Sequence, residues 1–121
     1  MNWVVLFHPA FAVEFEELVA DVQDELAAQL QVLSTLGPQL GRPRADTLKG
    51  SRHANMKELR FDADGGVWRA AFAFDPARQA IVLVAGDKSG QAQSRFYRRL
   101  IAVADQRFEE HLAPLRGRRK P

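Results

Sequence analysis

The sequence predicts an α+β fold: an N-terminal strand, one or two helices, a long loop, an antiparallel three-strand meander and a C-terminal helix. Three observations carry this reading. Phe11, Phe15, Leu18, Val22, Leu26, Leu30, Leu33 and Leu36 recur every three or four positions, which is the helical period. Residues 56–61, 67–74 and 80–85 are strand-like runs separated by short turn signals. Phe96, Leu100, Val103, Ala104, Phe108 and Leu112 then mark a second amphipathic helix. Strands grouped together, with helices before and after, favour α+β over alternating α/β.

Each element has a local reason. Residues 3–7, Trp-Val-Val-Leu-Phe, form an apolar run stopped by His8-Pro9 and read as a buried strand. The helical stripe after it is one long helix or two; Asp21, with Asp24 three residues on, is placed to cap a second. Gly37-Pro38 ends that stripe. Residues 37–55 carry Gly37, Pro38, Gly41, Pro43 and Gly50 and read as a loop, long enough to be functional. Asp62-Ala63-Asp64-Gly65-Gly66 closes the first hairpin, and residues 75–79 form the next turn. The run 68–74 has few polar residues on either face, so both are expected to be covered. A basic tail, residues 116–121, follows the last helix and is expected to be mobile.

The chain of 121 residues suits one domain, 1–121, with a single core. It has no cysteine, which excludes disulfides, thiolate metal sites and cysteine nucleophiles. No export signal is visible and no apolar run approaches membrane-spanning length, so the expected location is cytoplasmic. His8, His53 and His111 are scattered, and neither a metal nor another cofactor is expected. The net charge is only +2, but it is polarised. Residues 1–36 hold six acids and no Lys or Arg, whereas residues 37–121 hold all 17 basic residues against nine acids. Such a molecule can offer a basic face to a polyanion.

Strand register locates the chemistry. With Asp62 opposite Val67, Phe61 faces Trp68, Arg60 faces Arg69 and Leu59 faces Ala70. Leu59, Phe61, Trp68 and Phe72 then take the core face. Two arginines directly opposite repel, so something must compensate. Glu58, on the same face, is placed to partner one guanidinium; a bound phosphate would serve both. With Phe74 opposite Ala80, Arg69 is expected opposite Ala85, and the strand exits through Gly86-Asp87-Lys88 at the same end. Arg60, Arg69, Lys88 and Tyr97 therefore converge on one rim, while Lys57 alternates to the other face unless the strand bulges. Arginines clamp a phosphate and stabilise its developing charge. A Lys or Tyr transfers protons if neighbouring cations lower its pKa. Phe96 or Tyr97 offers a ring for a splayed base, and attack by an RNA 2′-hydroxyl needs no metal. Lys49, Arg52 and His53 in the basic loop, with Arg95 and Phe96 on the last helix, are the expected RNA contacts.

Several stretches resemble a known family. Leu48-Lys49-Gly50-Ser51, Met56-Lys57-Glu58-Leu59-Arg60-Phe61, Trp68-Arg69, Phe72-Ala73-Phe74-Asp75-Pro76, Gly86-Asp87-Lys88-Ser89-Gly90, Phe96-Tyr97, Leu100-Ile101 and Ala104-Asp105 are similar to the phage-derived HigB-like branch of the RelE/ParE toxin superfamily. The resemblance spans nearly the whole chain. It implies a sheet flanked by helices and a toxin that cuts mRNA in the aminoacyl site of translating ribosomes. It also implies silencing by a helix-turn-helix antitoxin, often encoded downstream. Arg60 and Arg69 match the pattern's strand arginines, Lys57 and Lys88 its recurrent lysines, and Tyr97 its aromatic near the last helix. The competing readings are a ParE-like inhibitor of DNA gyrase, which shares the fold without a catalytic cluster, and a non-toxic regulatory relative.

Overall fold

A computed structural model describes residues 2–117. Its elements are β1 (Val4–Phe7), α1 (Pro9–Glu16), α2 (Ala20–Leu36), a 3-10 turn (Gly37–Gln39), β2 (Ala45–Thr47), β3 (Lys57–Ala63), β4 (Gly66–Phe74), β5 (Gln79–Asp87) and α3 (Gln93–Gly117). They form the expected α+β arrangement, built on one mixed sheet in the order β1-β5-β4-β3-β2. β1 runs parallel to β5, and every other pairing is antiparallel. Of the basic tail only Arg116 and the backbone of Gly117 are described, as the end of α3; residues 118–121 lie outside the described residues.

Alternation along β4 explains the layering. Ala70 and Phe72 point to one face, where they pack with Phe11, Val22, Leu26 and Leu33 of α1 and α2. Ala71 and Ala73 point to the other, against Phe96, Leu100, Ala104 and Phe108 of α3. The two apolar faces expected of this strand are thus covered by helices. Burial is complete at Phe72, Leu26 and Leu33, where truncation to Ala costs about 3–5 kcal/mol for Phe and 2–5 for Leu.

The N-terminal helical stripe is two helices. The cap expected from Asp21 and Asp24 does not form: Val19 occupies the N-cap without a side-chain bond, and Asp21 lies inside the first turn. Instead, the Gln23 amide donates to Phe15 O at 2.8 Å and joins the two helices. α2 ends at Gly37, as expected, for a steric reason as well as a conformational one. Gly37 has φ +56, and a Cβ there would fall 2.3 Å from the Trp3 indole nitrogen.

β1 is an edge strand with one face open, not a buried strand as expected: Val4 is 52% and Leu6 40% exposed. Two further expectations are corrected. Residues 37–55 are not all loop, because β2 forms a fifth strand on β3, pairing Ala45 with Leu59 and Asp46 with Glu58. Three residues in a Gly- and Pro-rich stretch carry too little pattern to announce a strand. The second correction concerns β5. Phe74 does pair with Ala80, but the register shifts between Ala71 and Phe72, so Arg69 faces Gly86 instead of Ala85. Leu83 is the inserted residue of this bulge, and Leu83 and Val84 both pack toward α3.

Candidate functional site

The first hairpin closes through Asp64 and Gly65, with φ of 51 and 73. Positive φ at both central residues is the type I′ turn that matches strand twist. This turn sets the register: Arg60 and Arg69 are direct Cα partners, with Phe61 opposite Trp68 and Leu59 opposite Ala70. Both arginines lie on the face covered by α3. Beyond the bulge, β5 leads into Lys88, whose backbone N–H donates to Val67 O at 2.8 Å.

These residues line one open cleft of about 450 Å³ with Arg42, Asp46, Thr47, Leu48, Lys49, Glu58, Gln93 and Tyr97. Five cationic side chains, Arg42, Lys49, Arg60, Arg69 and Lys88, face two carboxylates, Asp46 and Glu58. The cleft therefore carries a net positive charge and favours a polyanion.

Glu58 organises the floor. It is 3% exposed. Arg60 donates to its Oε2 from Nε at 3.2 Å and from Nη2 at 3.0 Å. Tyr97 donates its hydroxyl to Oε1 at 2.9 Å, and Arg69 Nε lies 3.8 Å from the same oxygen. Arg69 Nε also donates to the Tyr97 hydroxyl at 3.2 Å, and its Nη1 to Trp68 O at 2.9 Å. The repulsion of two opposed arginines is thus offset from within the fold. Arg60 is held charged above its ordinary range, first by its hydrogen bond to Glu58, with burial opposing and Asp46 adding attraction. Asp46 lies 3.5 Å from Arg60 Nη2 and 3.1 Å from Arg42 Nε.

Tyr97 corrects one expectation. Its phenol pKa is raised, not lowered: burial and the hydrogen bond to Glu58 push it up, and the bond from Arg69 opposes them only in part. Such a tyrosine keeps its proton at neutral pH and acts as a donor. Lys88 reaches the cleft and donates Nζ to Gln93 Oε1 at 3.0 Å, at the start of α3.

Other expected contacts fall elsewhere. Lys57 pairs opposite Phe72, on the α2 side of the sheet, and does not line the cleft. Phe96 is 6% exposed and packs in the core with Leu100 and the Tyr97 ring, so it cannot stack a base. Its place follows from the helical period that sends Phe96, Leu100 and Ala104 to the sheet. His53 is largely covered by Phe108, ring to ring at 4.9 Å, and does not line the cleft. Arg52 lies beside Asp105 of α3, and Arg95 is exposed on α3; neither lines the cleft. Lys49 does line it. Glu58 was expected to partner one guanidinium only, and Arg42 fell within the basic loop; the pairing of β2 with β3 is what brings Arg42, Asp46 and Thr47 to the cleft. Among the described residues, no three His, Asp or Glu side chains cluster to hold a metal ion.

Comparison with known proteins agrees with this architecture. Residues 13–109 match the family model described as Phage derived protein Gp49-like (DUF891). The chain is 50% identical over 100 residues to "Putative toxin HigB2" of Mycobacterium tuberculosis, a match covering 77% of the chain and 49% of the relative. The chain thus spans about half the length of that relative. It is 45% identical over 103 residues to "Putative toxin HigB3" of the same organism, covering 85% of the chain and 88% of the relative. Among solved structures, an arginine-substituted mutant of the E. coli toxin RelE in the free state superposes with a TM-score of 0.59. That match covers 84% of the chain and 96% of RelE at 14% identity, a likeness of fold. No described helix is long and apolar enough to cross a membrane.

Proposed function

The chain belongs to the phage-derived Gp49-like family, as a HigB-like member of the RelE superfamily, and from that premise we propose that it is the toxin of a toxin–antitoxin pair and a ribosome-dependent mRNA endonuclease. It acts in the cytoplasm, takes mRNA in the ribosomal aminoacyl site as substrate and is silenced by a helix-turn-helix antitoxin. The single observation supporting the chemistry is the Glu58-centred cluster: two opposed guanidiniums and a protonated phenol around one buried carboxylate, in a cationic cleft.

The reaction is transfer of a phosphodiester to the adjacent ribose 2′-oxygen. The 2′-oxygen bonds to phosphorus, and the bond from phosphorus to the 5′-oxygen breaks. A 2′,3′-cyclic phosphate and a 5′-hydroxyl result. Arg60 and Arg69 hold the non-bridging oxygens as charge develops on them. Lys88, just past the end of β5, adds charge; Lys57 is on the wrong face for this role. Glu58 accepts the 2′ proton, and Tyr97 supplies a proton to the departing 5′-oxygen. Their existing 2.9 Å hydrogen bond returns the proton to Tyr97 and resets the pair.

The test is induction of the chain alone in a bacterial host, with mRNA 5′ ends mapped. Growth arrest with discrete in-frame cuts is expected, and Arg60→Ala with Arg69→Ala should abolish both. Arrest with DNA damage and no cuts would favour a ParE-like gyrase inhibitor instead. Unimpaired growth would favour a non-toxic relative. A short helix-turn-helix reading frame next to the gene is the expected genomic context.

A further inference from the structure

Asp105 takes no part in the cleft, yet α3 carries its carboxylate in a 9% exposed position. Burying a carboxylate is costly unless hydrogen bonds compensate. Here every compensating contact comes from one segment. Ser51 donates its hydroxyl to Oδ1 at 2.5 Å, and the Arg52 backbone N–H donates to Oδ2 at 3.0 Å. Arg52 Nε stands 3.7 Å from the same oxygen. The hydroxyl of Ser51 in turn accepts from the His53 backbone N–H at 3.0 Å.

The segment is a closed loop. Leu48 N–H donates to Met56 O at 2.9 Å, joining the end of β2 to the start of β3. It lies along one stripe of α3. A Cβ on Gly50 would sit 3.3 Å from Ile101, Asp105 holds Ser51 and Arg52, and His53 packs edge-on against Phe108. His53 Nε2 also lies 3.1 Å from Glu109 Oε2, at ion-pair distance but without hydrogen-bond alignment. One turn before Ile101 on this stripe is Tyr97, which is in the cleft. At its near end the same loop carries Leu48 and Lys49 into the cleft wall.

We propose that Asp105 is a positioning residue: it clamps the 48–56 loop to α3 so that Lys49 stands at a set distance from the Glu58–Tyr97 floor to receive the RNA backbone. The inference rests on the nuclease reading above. A loop released from Asp105 keeps its ends, because Leu48 and Met56 are buried. Ser51 and Arg52 lose the polar contacts that hold them to α3, and Lys49 beside them loses its register with the arginines.

A double-mutant cycle with Asp105→Ala and Lys49→Ala tests this, by steady-state cleavage of a defined mRNA on programmed ribosomes at a temperature where each variant is folded by circular dichroism. Each single variant should raise KM by roughly tenfold while kcat stays within about threefold. The double variant should be no worse than the worse single variant, because both remove one interaction. Asp105→Asn and Ser51→Ala, which each remove only part of the clamp, should shift KM in the same direction by less; they stand in if Asp105→Ala does not fold. Losses that multiply, or a fall in kcat with KM unchanged, would overturn the positioning role and leave the nuclease reading intact. Wild-type chain that cuts no mRNA would overturn both.

Discussion

Arg60 and Arg69 are direct Cα partners across β3 and β4, and one buried carboxylate, Glu58, contacts both guanidiniums. Removing that carboxylate leaves two like charges opposed, with Arg69 only 14% exposed. Glu58→Ala should therefore destabilise the fold by about 3 kcal/mol, the cost typical of breaking a buried pair from one side. Urea denaturation measures it. A loss below about 1 kcal/mol would mean that water or Asp46 satisfies the arginines without Glu58.

Tyr97 should act as a proton donor whose removal affects the chemical step. Burial, then Glu58, keep its pKa above the ordinary tyrosine value. Tyr97→Phe should lower kcat by roughly 10²-fold with little change in KM, since general acid catalysis typically contributes 10²–10⁴-fold. Single-turnover cleavage reads the step directly. In the wild type, loss of the Tyr97 proton should appear only above about pH 10. An alkaline limb near neutrality that vanishes in Tyr97→Phe would contradict this assignment.

Much of this site's geometry is legible in the amino-acid sequence. The Asp64-Gly65 turn dictates its hairpin register, and period-two alternation then puts Arg60 beside Arg69 and sends Lys57 to the far face. What stayed hidden lacks a local signature. The Leu83 bulge reflects packing of two consecutive residues against α3, and no turn or glycine marks it. β2 is three residues long and exists because β3 offers it an edge. His53 and Phe96 looked available because they sit among basic residues, but where α3 lies decides that Phe96 is buried and His53 is largely covered. Glu58 was visible as one arginine's partner; its bond to Tyr97 spans 39 positions and comes from the tertiary fold.

A second charged anchor, remote from the cleft, should govern acid stability. Asp75 is buried at the β4–β5 turn, with His111 Nε2 2.7 Å from its Oδ2. Burial pushes its carboxyl up, but hydrogen bonds from His111 and from the side chain and backbone of Gln79 together outweigh it and hold the pKa below the ordinary range. A carboxyl depressed in the fold stabilises it at pH above the unfolded value, about 3.9. That contribution is lost as pH falls through the folded value. Glu14, lowered chiefly by its hydrogen bond from Arg107, acts in the same sense. Asp75→Asn should lose about 1–3 kcal/mol at pH 7 and show a flatter decline between pH 4 and 2 than wild type. Urea melts across that range check it, and an unchanged acid limb would exclude Asp75 as its source.

Salt dependence distinguishes cations that meet RNA from those that merely decorate the surface. Each phosphate neutralised by a Lys or Arg releases condensed counterions, so binding falls with log salt by about 0.7 per contact on single strands. Lys49 and Lys88 line the cleft, whereas Arg95 is exposed outside it on α3. Lys49→Ala and Lys88→Ala should each weaken binding of a single-stranded RNA oligonucleotide across sequences and reduce the salt slope by roughly 0.7. Arg95→Ala should leave that slope where it is. Fluorescence anisotropy from 50 to 300 mM salt resolves the difference. If Arg95→Ala lowered the slope as much as Lys88→Ala, the RNA path would run over the outer face of α3, and the Glu58 cluster would lose its claim to the scissile phosphate.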